Sequence, residues 1–190
     1  MMRNMIKEIL KRLEYLQKEK PCLLIAIDGR SNAGKTTLAQ NLQEKCACNI
    51  IHMDHFFLPL ALQNGNDSAE YGSNIDFDRL QKEVISPLRR GEAFSYRPFN
   101  CASQQYDAGI SFVPKAVNII EGAYSCHPKL WQNYDFRIFL DIEPQEQKRR
   151  LLLRENAEKT KAFFELWIPR EEAYFAAYDI AARCEQYFKV

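Results

Sequence analysis

Residues 22–37 read CLLIAIDGRSNAGKTT, an apolar run that empties into Gly29-Arg30-Ser31-Asn32-Ala33-Gly34-Lys35-Thr36. That octet satisfies the phosphate-binding pattern G-x-x-x-x-G-K-[ST] at every position. The spacing follows from the chemistry: successive backbone N–H groups must curl around phosphate oxygens, and glycine permits both the tight turn and the close approach. Gly29 through Thr37 is therefore the expected cradle for a nucleoside triphosphate, ATP or GTP. Lys35 is placed to reach the outer phosphates, and Thr36 to offer its hydroxyl to Mg²⁺. An apolar strand precedes the loop and an amphipathic helix over 36–45 follows it, turning its positive N-terminal end toward the anion.

Working outward, 190 residues suit a single domain with a substantial core. Lys and Arg (26) nearly balance Asp and Glu (25) for a net charge of +1, which argues against a nucleic-acid surface and for a small-molecule partner. The six cysteines, at 22, 46, 48, 101, 126 and 184, form no C-x-x-C pair, and the pattern fits a reducing, cytoplasmic setting. No 18 apolar residues run together and the first ten mix charge with apolar positions, so neither a membrane span nor a signal peptide is expected.

Residues 1–20 carry Ile6, Ile9, Leu13 and Leu16 at helical spacing and should pack on the domain's flank. The same stripe would permit a homo-oligomer, although it spans barely two heptads. Further strands are expected over 49–53, 116–120, 136–140 and 186–190, with helices between them. This alternation predicts an α/β fold, a parallel sheet with helices on both faces. Residues 76–90 read as a helix with Leu80, Val84, Ile85 and Leu88 inward, and 62–74 as a loop. Segments 94–99 and 109–113 read as a β-hairpin inserted over 92–114. The aromatics Trp167, Tyr174, Phe175 and Tyr178 recur at helical spacing and are expected in the core.

The strand over 49–53 runs into Asp54, at the sheet edge that faces the ligand crevice in parallel sheets. A carboxylate there can take the proton of an attacking hydroxyl, bind Mg²⁺ through water, or do both. Glu121 ends the strand over 116–120 at the same edge, as a water-mediated magnesium acid or as an ion-pair partner. His52 and His55 lie three apart with no third zinc ligand in view. Arg150 and Arg154 share one helical face and can clamp phosphate oxygens, with residues 145–165 as a polar lid.

Taken together, GRSNAGKTT, the MDHFF segment at Asp54, Ser95-Tyr96-Arg97-Pro98-Phe99, IIEG at 119–122 and the paired arginines resemble the uridine kinase family of P-loop kinases, with nicotinamide riboside kinases and phosphoribulokinases as relatives. The likeness runs from about Cys22 to Tyr187. It implies a P-loop NTPase fold and transfer of the γ-phosphate of ATP or GTP to the 5′-hydroxyl of a ribonucleoside, uridine or cytidine first and nicotinamide riboside second. By motif position it makes Asp54 the base and Lys35, Arg150 and Arg154 the phosphate-side catalytic groups, with Thr36, Asp54 and Glu121 on the magnesium side. Asp54, Asp76, Tyr96, Arg97 and Glu121 then face the substrate. Two features depart from the pattern: for the family's ribose-binding Asp the segment 71–76 offers Asp76 alone, without a fixed offset, and no His follows Tyr96 over 97–106. The chain has neither an N-K-x-D guanine reader nor an LSGGQ-type signature, so a GTPase switch or transporter ATPase is not expected. A nucleotide-binding regulator descended from a kinase is the remaining alternative.

Overall fold

The computed structural model describes residues 2–63 and 71–190, so residues 64–70 of the expected loop lie outside the described residues. The chain opens with α1 (Met2–Leu16), then β1 (Leu23–Gly29), the phosphate loop, α2 (Lys35–Lys45) and β2 (Cys48–His52). Two 3-10 turns, Met53–Phe56 and Leu60–Leu62, lead to a helix built from α3 (Phe77–Leu80), a π turn (Gln81–Ile85) and α4 (Ser86–Arg89). An inserted ribbon follows: β3 (Phe94–Tyr96), β4 (Phe99–Asn100), β5 (Gln105–Tyr106) and β6 (Ile110–Phe112). The frame then resumes with β7 (Val117–Glu121), a 3-10 segment (Pro128–Asn133), β8 (Phe136–Asp141), α5 (Pro144–Arg154) and α6 (Ala157–Ala162). A π turn (Phe163–Trp167) joins α6 to α7 (Ile168–Tyr178), and α8 (Ile180–Arg183) and β9 (Gln186–Lys189) end the chain.

The main sheet has the order β2-β7-β1-β8-β9, and every pairing is parallel. All seven residues of the central β1 are buried, and alternation divides them between two cores. Leu24 and Ala26 meet Leu80, Val84, Tyr174 and Phe175 on one face. Leu23, Ile25 and Ile27 meet Ile9, Leu13, Leu38 and Leu42 on the other. Burying each of these aliphatic side chains is worth about 1.5–3 kcal/mol, which is why a run with no polar alternation settles at the centre of the sheet. On α1 the buried residues are Met5, Ile6, Ile9 and Leu13, so its apolar stripe is covered within the chain.

Register brings the site together. Ile27 of β1 and His52 of β2 both pair with Glu121 of β7, so three strands end at one edge, where the phosphate loop and Asp54 also lie. The inserted hairpin is interrupted: β3 pairs antiparallel with β6, and β4 with β5, with Arg97-Pro98 between the rungs, where proline has no N–H to give to a ladder. At the C-terminus, Asp179 adopts a left-handed conformation (φ 53°) that separates α7 from α8. Of the aromatics expected in the core, Tyr174 and Phe175 are buried and Tyr178 packs against them half-buried, but Trp167, the last residue of the π turn, instead lines the large cleft.

Asp28, fully buried at the penultimate position of β1, ties the frame together. Its carboxylate accepts hydrogen bonds from the Gly29 N–H (2.7 Å), the Cys126 N–H (2.8 Å) and the Tyr174 hydroxyl (2.9 Å). Burial pushes its pKa up to about 6, against the pull of these donors and of the Lys35 charge. Its folded-state value thus lies above the unfolded one, so this group's stabilising contribution is present at low pH and is lost as pH rises through about 6. Acidification from about pH 8 to about pH 5 should therefore add roughly 1.4 kcal/mol of stability to the wild type that Asp28→Asn does not gain. Urea unfolding of both proteins at the two pH values measures that difference, and equal responses would contradict it.

Candidate functional site

Side chains from three elements pin the phosphate loop. Gly29 has φ +133°, and a Cβ there would lie 2.0 Å from the Leu140 carbonyl oxygen, so β8 leaves room for glycine alone. Lys35 Nζ folds back to donate to the carbonyls of Gly29 (2.6 Å) and Arg30 (3.0 Å). Ser31 donates through its N–H (3.0 Å) and hydroxyl (2.5 Å) to Glu171 on α7, a carboxylate that is itself buried. From α5, Gln147 donates to the Ser31 carbonyl (2.9 Å) and Arg150 to the Asn32 carbonyl (3.1 Å). Arg30 departs from the expected cradle: its guanidinium forms a bidentate pair with Glu172 (2.5 and 2.8 Å) and reaches Asp141, which draws it away from the cleft. Ala33 is buried and Gly29 packs on β8, so these two shape the loop without lining the cleft.

The loop opens onto a cleft of about 1050 Å³, room for a nucleotide and a small second substrate together. Lys35, Thr36, Asp54, Glu121, Arg150 and Arg154 all line it. Thr36 donates its hydroxyl to Glu121 (3.0 Å), and Glu121 also meets His52 Nδ1 at 2.5 Å. Water reaches Asp54 through the open cleft, yet protein surrounds most of the carboxyl. That desolvation, then the Glu121 charge, pushes Asp54 above the ordinary carboxylate range, with Lys35, His52 and Arg154 pulling the other way. Glu121 raises His52, while burial first, then His52 and Arg79, push His55 down to about 4. Thr36, Asp54 and Glu121 offer hard oxygen donors whose mutual repulsion a divalent cation would relieve. They suit Mg²⁺, which takes one or two carboxylates together with phosphate and water oxygens. Among the described residues no group of three or more His, Cys, Asp and Glu forms a closed metal cage.

The ribbon forms the far wall, through Phe99, Asn100, Cys101, Gln104 and Asp107. Three residues expected at the substrate lie behind that wall or beside it. Asp76 caps α3, its side chain accepting from the Arg79 N–H (3.0 Å), and does not line the cleft. Tyr96 is buried between Phe56 and Phe112, and its hydroxyl meets His55 Nδ1 at 3.0 Å. Arg97 donates to the carbonyls of Tyr106 (2.7 Å) and Asp107 (3.0 Å), bracing the ribbon instead of facing a ligand. The two lid arginines line the cleft while paired locally, Arg150 with Glu146 (2.8 Å) and Arg154 with Glu155 (2.7 Å).

Comparison with known proteins accords with this geometry. Residues 24–174 match the model of the phosphoribulokinase/uridine kinase family. The chain belongs to that family. Nicotinamide riboside kinase 1 of Rattus norvegicus is 31% identical over 139 residues, covering 67% of this chain and 64% of that protein. The chain thus spans a little under two thirds of that relative's length. Among solved structures, a possible uridine kinase from Bacillus stearothermophilus superposes with a TM-score of 0.67 at 18% identity, covering 95% of this chain and 99% of that one. That likeness gives this phosphoribulokinase/uridine kinase family member its P-loop NTPase fold.

Sequence reading missed the residues that fasten the loop from a distance, Glu171, Gln147 and Asp28, and the cleft-facing His55 and Trp167. Gln147 had a local signal, one turn before Arg150 on the same helix, whereas Glu171 lies 140 residues from Ser31 and shares no motif with it. The fit of Gly29 against Leu140 yields a test. Gly29→Ala should lower stability by about 3 kcal/mol, a fall in Tm of about 10 °C for a domain of this size, because the added methyl meets backbone that cannot move aside. A thermal melt within about 2 °C of wild type would contradict it.

Proposed function

We propose that this family member transfers the γ-phosphoryl group of ATP or GTP to the 5′-hydroxyl of a neutral or cationic ribonucleoside, with uridine, cytidine and nicotinamide riboside as the leading acceptors. The observation that carries the reading is the meeting of Lys35, Thr36, Asp54 and Glu121 at one sheet edge, opposite a wall that leaves space for a second small molecule. Asp54 accepts the proton of the acceptor hydroxyl as its oxygen attacks the γ-phosphorus and the bond to the bridging oxygen breaks. Lys35 exchanges the Gly29 and Arg30 carbonyls for phosphate oxygens, and Arg150 and Arg154 leave Glu146 and Glu155 to meet the charge that develops on the transferred group. Thr36, Asp54 and Glu121 would hold Mg²⁺, which when bound supplies further neutralisation of the phosphate oxygens.

Charge supports the choice of acceptor. The ribbon residues that line the cleft, Pro98, Phe99, Asn100, Cys101, Ala102, Gln104 and Asp107, include no Lys or Arg. A phosphorylated sugar on this wall would face Asp107 with no cation of the ribbon to receive it, whereas a neutral nucleoside meets no such repulsion. The positive ring of nicotinamide riboside would gain from Asp107, and the rat relative's name favours that acceptor as a second reading.

The test is nucleotide consumption with Mg²⁺ and ATP or GTP against uridine, cytidine, nicotinamide riboside, other nucleosides, pantothenate and simple sugars. Asp54→Asn should bind ATP normally while its acceptor-dependent turnover falls by about 10²–10⁴, the usual size of a lost general base. Full activity in that variant would remove Asp54 from the role. A wild type that no acceptor stimulates would turn attention to a nucleotide-binding regulator.

A further inference from the structure

His55 has no part in the reaction above, yet it follows Asp54 directly, lines the acceptor end of the cleft and is tied to a buried partner behind the wall. Tyr96 is 3% exposed, with its ring held at 4.8 Å from that of Phe56 and stacked on Phe112 (5.7 Å between centroids, 8° between planes). The Tyr96 hydroxyl therefore cannot turn to water, and His55 Nδ1, at 3.0 Å, is its hydrogen-bond partner. A buried phenol must place its proton on an acceptor. Were Nδ1–H to donate instead, the phenol hydrogen would be stranded beside the Arg79 cation, which favours the phenol's oxygen lone pairs on its side. The Tyr96 O–H thus donates to Nδ1, and in the neutral ring the imidazole proton resides on Nε2. His55 lines the cleft and its Nε2 has no protein hydrogen-bond partner among the described residues, so what this wall presents beside the Asp54 carboxylate is an N–H donor. The backbone beneath is fixed as well, because Arg79 Nη2 donates to the His55 carbonyl (2.5 Å).

We propose that His55 reads the acceptor: its Nε2–H donates to an oxygen of the alcohol substrate while the neighbouring Asp54 engages the hydroxyl that reacts, and Tyr96 sets the tautomer from behind. The substrate class this selects is an alcohol carrying a second oxygen, hydroxyl, ring ether or carbonyl, within reach of the reactive one. An acceptor lacking it leaves a donor unpaired in a partly desolvated wall, the kind of mismatch that gives binding sites their sharpest discrimination. Tyr96, expected from sequence to touch the nucleoside, acts instead as a positioning residue through His55. The inference rests on the kinase reading, since it concerns the acceptor half of the same cleft.

Three variants test it, with uridine, cytidine and nicotinamide riboside as probes and Mg²⁺·ATP affinity measured separately by calorimetry. His55→Phe keeps the ring's bulk without the donor and should raise the acceptor KM about tenfold, the cost of one unmade hydrogen bond, while ATP affinity stays near wild type. His55→Gln places an amide N–H near the Nε2 position and should recover most of that loss. Tyr96→Phe frees the tautomer and should give an intermediate acceptor KM. Nitrogen NMR of the wild type should show His55 protonated on Nε2 and bare on Nδ1. The inference is overturned if His55→Phe leaves the acceptor KM unchanged, if His55→Gln is impaired as badly as His55→Phe, or if the proton is found on Nδ1. If the wild type phosphorylates none of the probes, the reading of these nucleosides as its acceptors falls and takes this inference with it. A wild type that works beside variants that do not differ from it overturns this inference alone.

Discussion

A single buried carboxylate, Asp28, holds together the parts on which everything else depends. Three donors converge on it, from the phosphate loop, from the segment after β7 and from α7. An ionised carboxylate with no contact to water is costly unless its lone pairs are filled, and the upward shift of its pKa measures how incompletely three neutral donors offset that cost. The same junction fixes the distance between β1 and α7. That spacing lets the next two residues of the loop, Arg30 and Ser31, meet Glu172 and Glu171 on α7. The cradle for phosphate is therefore built as much by a helix near the C-terminus as by its own glycines.

Within the cleft, charges of both signs meet. Lys35, Arg150, Arg154 and Lys159 line it together with Asp54, Asp107, Glu121, Glu155 and Glu171, and Lys35 and Arg154 pull on Asp54. Local pairs keep the cations from collapsing onto the acids: Glu146 and Glu155 hold the arginines at the rim.

The phosphate loop, the strand ends bearing Asp54 and Glu121, and the paired arginines were legible because each is a local pattern whose spacing maps directly onto geometry. Parallel strands in register did the rest, carrying residues far apart in sequence to one edge. The acceptor wall was harder. On a three-residue strand such as β3, a shift of one position reverses which side chains face the cleft, and here the reversal sends Tyr96 into the core. Asp76 shows another ambiguity: a carboxylate just before a helix serves equally as a cap or as a ligand for hydroxyls, and only the Arg79 N–H at 3.0 Å decides between them. Glu171 and Asp28 left no trace, since, apart from the Gly29 N–H beside Asp28, their partners lie over 90 residues away and nothing in their surroundings marks them as polar anchors.

The fastening of Ser31 has a consequence for motion. Its amide proton points at a carboxylate on α7 and not at a carbonyl of its own turn, so hydrogen exchange at this site requires α7 to release the loop. A single loop amide thus serves as a gauge of how often a helix 140 residues downstream lifts away from the loop.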